Sequence, residues 1–259
     1  LGIGNSQLFE LLEKGHLKYN NLQFIEDDPI CVPHQFNVLQ DIEISGFFAA
    51  TLAWGQRKTI ISKAMELMGL LGHAPYEFVM HHSERDLKCL LNFKHRTFNA
   101  TDLLYFIHFF KKYYSSYNSL EEIFNPGQEE QNVRSGIERF HRYFLDDGHF
   151  PYRTAKHVAS PAKKSACKRI NMFLRWMVRK DQNGVDFGLW GNIKMNQLVC
   201  PCDVHVDNVA RHLGLITRKQ IDWLTAEELT GNLMVFDPED PVKYDFALFG
   251  MGLNKDNYA

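Results

Sequence analysis

Long apolar runs are missing from this 259-residue chain. The longest, such as residues 47–53, falls far short of the ~20 residues that a helix needs to cross a bilayer. No membrane partner is therefore expected. Low-complexity tracts are also missing, and a composition of 45% hydrophobic and 23% charged residues is that of a chain that folds. Cysteine is scarce. Cys31, Cys89, Cys167, Cys200 and Cys202 are odd in number and irregular in spacing, which argues against a disulfide framework and for a reducing compartment. The first residues lack the basic stretch, apolar block and small-residue cleavage site of a signal peptide, and a cytoplasmic location is expected. Alternating strand runs, glycine-rich phosphate loops and internal repeats are not found either.

The formal net charge is only −2, with 29 Lys and Arg against 31 Asp and Glu. Its distribution is uneven. Residues 151–180 carry nine basic side chains (Arg153, Lys156, Lys163, Lys164, Lys168, Arg169, Arg175, Arg179 and Lys180) and no acidic one. The other 229 residues carry 20 basic and 31 acidic side chains. Such polarity suits a face turned toward a polyanion, and equally a solvated helix face paired with acidic neighbours.

The periodicity that is present is helical. Leu8, Leu11, Leu12 and Leu17 mark an amphipathic opening helix. Residues 27–37, with Pro29 and Pro33, read as a loop. Residues 41–54 are too apolar for a surface helix and predict a central one. Further helices are expected near 58–71, 101–115, 129–146 and 162–180. Ser119 with Glu122, and Thr225 with Glu228, have capping-box spacing. Asp240-Pro241 suits a helix start, and Gly214 suits the end of a helix that begins near Asp203. The fold class expected is all-α with two helical lobes. A central lobe would span about 45–190, and a second would combine about 1–44 with 195–259.

Two constellations carry possible chemistry. In Cys200-Pro201-Cys202-Asp203-Val204-His205-Val206, Asp203 falls at a helix start, where backbone N–H groups favour an ionised carboxylate. On the local pattern a simple N-cap is the plainer reading. In Lys163-Lys164-Ser165-Ala166-Cys167-Lys168-Arg169, Lys168 falls near a helix N-terminus. The dipole there, with Lys164 and Arg169 beside it, disfavours the ammonium and would sharpen the amine as a nucleophile. A surface lysine that touches phosphate is the plain alternative. Cys200, Cys202 and His205 are the residue types of a metal-dependent hydrolase. However, Cys-x-Cys is not the usual zinc spacing and no second cluster completes four ligands. No metal is expected.

Pro201-Cys202-Asp203-Val204-His205-Val206, followed by Val209-Ala210-Arg211, resembles the Pro-x-Asp-x-His signature of helix-hairpin-helix DNA glycosylases, the 8-oxoguanine glycosylase and endonuclease III kind. The Lys168 helix resembles their second hairpin helix. Glu43 through Gln56 resembles their early helix ending in a polar loop, and Pro241 through Gly250 the late helix behind the base pocket. These blocks keep the family's order over most of residues 41–250. The whole chain most resembles a bacterial family of unassigned function with this kind of fold. The resemblance implies a two-lobed helical fold with a cleft, and damaged or abasic duplex DNA as partner. It assigns Lys168 as the attacking amine of an N-glycosylase with AP-lyase activity, and Asp203 as the catalytic carboxylate. It further implies Gln56 or Arg57 as the side chain filling the gap left by a flipped base. DNA contacts would come from Lys163, Lys164, Ser165, Arg169 and His205, with Trp190 and Tyr244 lining a base pocket.

Departures from that pattern are specific. The Gly-hydrophobic-Gly turn of a standard hairpin is replaced by Lys163-Lys164-Ser165-Ala166. Lys168 and Asp203 stand 35 positions apart, with an insertion at about 181–197. The four-cysteine loop of iron–sulfur members is missing, so neither a cluster nor any other cofactor is expected. A nucleic-acid-binding protein that keeps the fold without the chemistry is the alternative reading.

Overall fold

The protein is described by a computed structural model over residues 4–254. Helix accounts for 62% and strand for 2%, so the fold is all-α as expected. The described residues form α1 (Asn5–Tyr19), α2 (Leu22–Glu26), α3 (Leu39–Leu52), α4 (Arg57–Leu70), α5 (Pro75–His81) and α6 (Ala100–Tyr114). These are followed by α7 (Glu121–Phe124), α8 (Arg134–Leu145), α9 (Lys168–Val178), α10 (Val204–His212), α11 (Trp223–Met234) and α12 (Asp245–Asn254). A two-residue hairpin, β1 (Lys94–His95) and β2 (Phe98–Asn99), was not visible in the sequence because it is too short to show alternation.

The chain divides into two compact units. The middle unit comprises Ile25–Phe124 and Glu138–Ala159. The terminal unit comprises the described parts of Leu1–Phe24, Asn125–Ile137 and Ser160–Ala259. Residues 160–190 therefore group with the chain ends and residues 25–44 with the middle, while the boundaries drawn from sequence lay near 45 and 190. Side-chain chemistry explains the first regrouping, because α9 is tied by Arg175 to Asp245 of α12. Packing explains the second: the 3₁₀ turns Pro29–Cys31 and Pro33–Gln35 lie against α3.

In the middle unit α3 is the central helix anticipated from its composition, buried continuously from Ile42 to Leu52. Phe47 and Phe48 pack against Phe106 and Phe110 of α6. One charge lies inside this apolar helix. Glu43 is fully buried, and its carboxylate accepts hydrogen bonds from Tyr114 Oη (2.7 Å), the Leu120 N–H (3.0 Å) and Ser119 Oγ. Three donors offset the desolvation that an unpaired carboxylate would suffer there.

In the terminal unit α12 packs against α1 and α10. Phe24 meets Phe246 and Phe249 edge-on. The insertion at 181–197 completes α9. The N–H groups of Phe187 and Trp190 donate to the carbonyls of Trp176 (2.8 Å) and Met177 (3.0 Å), which the helix end would otherwise leave unsatisfied.

Helix starts differ from expectation in instructive ways. Asp222, not Thr225, caps α11, and Glu228 instead accepts hydrogen bonds from Thr217 and Arg218. Asp240 caps nothing because its carboxylate is held by Arg179, and Pro241 opens a 3₁₀ turn before α12. Ser119 does accept from the Glu121 N–H, at the start of the short α7. Gly214, at φ +76°, follows the end of α10. α9 is shorter than expected because Lys164 and Cys167 adopt left-handed backbone (φ 58° and 52°). A continuous helix cannot pass through such residues.

Candidate functional site

The site is built where two helices of the terminal unit begin. Ahead of α9, the 3₁₀ turn Pro161–Lys163 leads into left-handed Lys164, and Ser165 Oγ accepts the Cys167 N–H at 3.1 Å. Asn171 then donates back to the Ala166 carbonyl at 3.2 Å. This clasp fixes Lys168 as the first residue of α9. On the other side, Asp203 is the N-cap of α10, accepting from the N–H groups of His205 (2.9 Å) and Val206 (3.0 Å) through Oδ1.

These two residues meet. Lys168 Nζ lies 3.6 Å from Asp203 Oδ2, and their side chains are 24% and 25% exposed. The cap uses one carboxylate oxygen and the lysine faces the other, so capping and pairing are compatible roles for one side chain. Lys168 Nζ also sits 3.5 Å from Met172 Sδ and 6.0 Å from the centre of the Phe249 ring. The amine is thus half-sheltered by apolar groups while remaining reachable.

A second carboxylate lies behind the pair. Asp245, at the start of α12, is buried and pushed up to about 6 by that burial, against which the cations of Arg175 and Lys168 pull downward. Arg175 holds it directly, and Cys200 Sγ stands 4.0 Å from its Oδ1. From there a buried network continues along α9. Arg175 pairs with Asp186 (3.2 Å), and Arg179 with Asp186 (3.1 Å), Asp181 (2.8 Å) and Asp240 (3.0 Å). Burial also raises Asp240, to about 6, despite Arg179.

Lys163, Lys164 and His205 are exposed, while Ser165 and Arg169 are partly exposed, all in the terminal unit. Gln56 is exposed and Arg57 partly exposed, both in the middle unit at the start of α4. Trp190 and Tyr244 are enclosed in the terminal core. Trp190 packs edge-on against Phe173, and Tyr244 Oη donates to Glu13 at 2.7 Å. Neither indole nor phenol ring presents a face to a ligand in this structure. Cys200 and Cys202 are buried thiols, with Cys202 pushed up to about 12 by burial and by Asp207, whereas His205 is exposed. No group of three His, Cys, Asp or Glu side chains among the described residues is arranged to hold a metal.

Asp245 was not singled out from sequence, although a signal existed. Arg175 and Arg179 interrupt the apolar face of α9 one turn apart, and buried arginines require buried acids. The nine basic residues of 151–180 consequently do not act as one surface.

What emerges is an all-helical protein with an accessible lysine–carboxylate pair at the starts of two helices. The chain matches, over residues 28–254, the family described as protein of unknown function (DUF2400), and it belongs to that family. Neither the curated proteins nor the solved structures contain a match. No helix among the described residues is long and apolar enough to cross a membrane.

Proposed function

We propose that the protein is a base-excision DNA N-glycosylase with AP-lyase activity, acting through Lys168 and Asp203. The observation that carries this reading is the 3.6 Å approach of Lys168 Nζ to Asp203 Oδ2, both partly open to solvent, from segments 35 positions apart. It rests also on the resemblance to the glycosylase signature, which assigns these two positions the nucleophile and the carboxylate. Two helical lobes bordering a cleft are part of the proposal.

The target base leaves the stack, because its glycosidic bond is inaccessible within a duplex. Ionised Asp203 stabilises the positive charge that develops on the sugar. Lys168, after losing a proton to solvent, attacks the anomeric carbon as the bond to the base breaks, and the base departs with a proton from water. Ring opening, with a proton to the ring oxygen, gives the imine. Loss of a C2′ proton then expels the 3′ phosphate and nicks the strand. Lys163, Lys164 and Arg169 contact phosphates near the site, and Gln56 or Arg57 occupies the vacated stack.

Borohydride reduction tests the proposal. Abasic duplex DNA incubated with the protein is expected to give a covalent adduct that is lost in Lys168→Ala. An adduct undiminished in Lys168→Ala removes that lysine from the role, and no adduct with wild-type protein across a broad lesion panel rejects the lyase step. One feature favours the binding-only alternative: Lys163 and Lys164 stand exposed in place of the glycine turn, where they would hold phosphate by charge alone. Specific DNA binding without an adduct would establish it.

A further inference from the structure

The β1–β2 hairpin of the middle unit presents an arginine in an unusual setting. Arg96, at the tip, has left-handed backbone (φ 55°) and an exposed side chain. Its guanidinium lies over the Trp54 ring, 4.7 Å from the centroid. It also lies against Gly55 (φ +116°) so closely that a Cβ there would fall 2.5 Å from Nη1. The positive φ of Gly55 is what calls for glycine there, and the missing side chain lets the guanidinium lie close against the loop after α3. Yet no hydrogen bond or ion pair to Arg96 is found among the described residues. Its ring and backbone supports orient it, and its N–H donors remain for something else.

A second anomaly lies in a turn of the same unit. Tyr152 is 91% exposed, in a turn (Tyr152–His157) that is anchored rather than loose. Fully buried Asp102 binds Arg153 (2.7 Å), Thr154 (2.8 Å) and His157 (3.3 Å), three of the five residues that follow the tyrosine. Arg153 also donates to the Thr97 carbonyl at 3.0 Å, which joins this turn to the residue after Arg96. An anchored turn that carries a solvated aromatic ring is thus linked through Arg153 to the hairpin that carries the oriented cation, both in the middle unit, with Gln56 and Arg57 next to Gly55 in the chain.

We infer that this surface binds nucleic acid, with Arg96 on a backbone phosphate and Tyr152 stacked on an unpaired base. The chemistry matches both halves of such a ligand. A phosphate accepts from a planar fork already held in place, and every base offers a face to an exposed ring. The inference rests on the proposed action on DNA, and it adds that the substrate carries an unpaired base.

Binding to two 25-mer duplexes tests it, one fully paired and one carrying a tetrahydrofuran abasic analogue opposite 2-aminopurine. The analogue has no aldehyde, so Lys168 chemistry is silent. Tyr152→Ala is expected to weaken binding to the abasic duplex about tenfold and to abolish 2-aminopurine quenching, while Tyr152→Phe retains both. Arg96→Ala is expected to weaken binding to both duplexes and to reduce the slope of log K against log salt by about one. Wild-type affinity and quenching in Tyr152→Ala, or an unchanged salt slope in Arg96→Ala, overturns the corresponding contact. Borohydride trapping on natural abasic DNA at saturating protein separates the two claims. Trapping that depends on Lys168 while both variants bind like wild type sinks this surface alone. Binding that depends on Arg96 and Tyr152 without any trapping sinks only the chemistry. Wild-type protein that binds neither duplex sinks both.

Discussion

The two ends of α9 treat positive charge in opposite ways. At its start, Lys168 meets one carboxylate in a setting about a quarter exposed. Two turns later, Arg175 and Arg179 are almost completely buried and engaged by four aspartates, Asp181, Asp186, Asp240 and Asp245. All three cations come from one acid-free run, so composition does not separate them. Enclosure does. A guanidinium surrounded by carboxylates and stacked over Phe246, at 4.3 Å for Arg175, is structural material, whereas an amine with one partner and an open side is available for chemistry.

The largest expected effect lies at the closed end. Arg179→Met keeps much of the volume and removes the charge that holds three aspartates, and it is expected to lower the unfolding free energy by about 3–5 kcal/mol. Urea denaturation measures this directly. A loss below ~1 kcal/mol would mean that the network is dispensable and that the contrast between the two ends is only geometric.

Next in size is a pH effect to which Asp245 contributes. Its carboxyl is raised from 3.8 to about 6, so the folded protein holds the proton more tightly than the unfolded chain. That contribution to stability is fully present below about pH 4 and is lost as pH rises through about 6. Asp240, also raised to about 6, acts with the same sign, whereas Asp102 is lowered and acts with the opposite one, its burial being outweighed by its hydrogen bonds. The measurable quantity is therefore a difference. Compared with Asp245→Asn, wild-type protein is expected to lose stability between pH 4 and pH 6.5. Parallel pH profiles for the two proteins would show that Asp245 is not the buried acid behind the pair.

Sequence made some of this legible and hid the rest for physical reasons. α3 could be read because an apolar stretch with helical spacing has few other solutions. Asp203 could be read as a helix start because its side chain acts locally, on the N–H groups two and three residues ahead. Lys168 and Asp203 as partners could be anticipated only through the resemblance, since nothing in either segment specifies the other. Trp190 and Tyr244, both buried, could not be assigned to pocket or core, because an aromatic that lines a site and one that fills a core leave the same trace in one sequence. The hairpin at 94–99 escaped notice because two residues per strand carry no period. Asp222 outcompeted Thr225 at the start of α11 although the Thr–Glu spacing fitted the rule. Glu228 had been drawn away by Thr217 and Arg218, a tertiary fact.

At the open end the expected effects are smaller and depend on which role is removed. Asp203→Asn keeps a side-chain oxygen for the N–H groups of His205 and Val206 and removes the charge facing Lys168. Asp203→Ala removes both. Thermal denaturation is expected to place Asp203→Ala about 1 kcal/mol below wild type and Asp203→Asn within a few tenths of it. Borohydride trapping is expected to fall in both. Equal stability losses in the two variants would show that the ion pair, rather than the cap, holds α10 in place.

A change just as small is expected of the substitution most informative about the comparison. Lys168→Ala removes an amine 3.6 Å from its partner, with both side chains partly in water, where pairs of this kind contribute between nothing and ~1 kcal/mol. Asp203 would keep its two backbone donors, so no carboxylate is stranded. Unfolding free energy is therefore expected to change by less than ~1 kcal/mol, even though the lysine is the residue on which the proposed reaction depends. A loss approaching that of Arg179→Met would place Lys168 with the structural cations of its own helix. The start of α9 would then be an extension of the buried network rather than an opening in it.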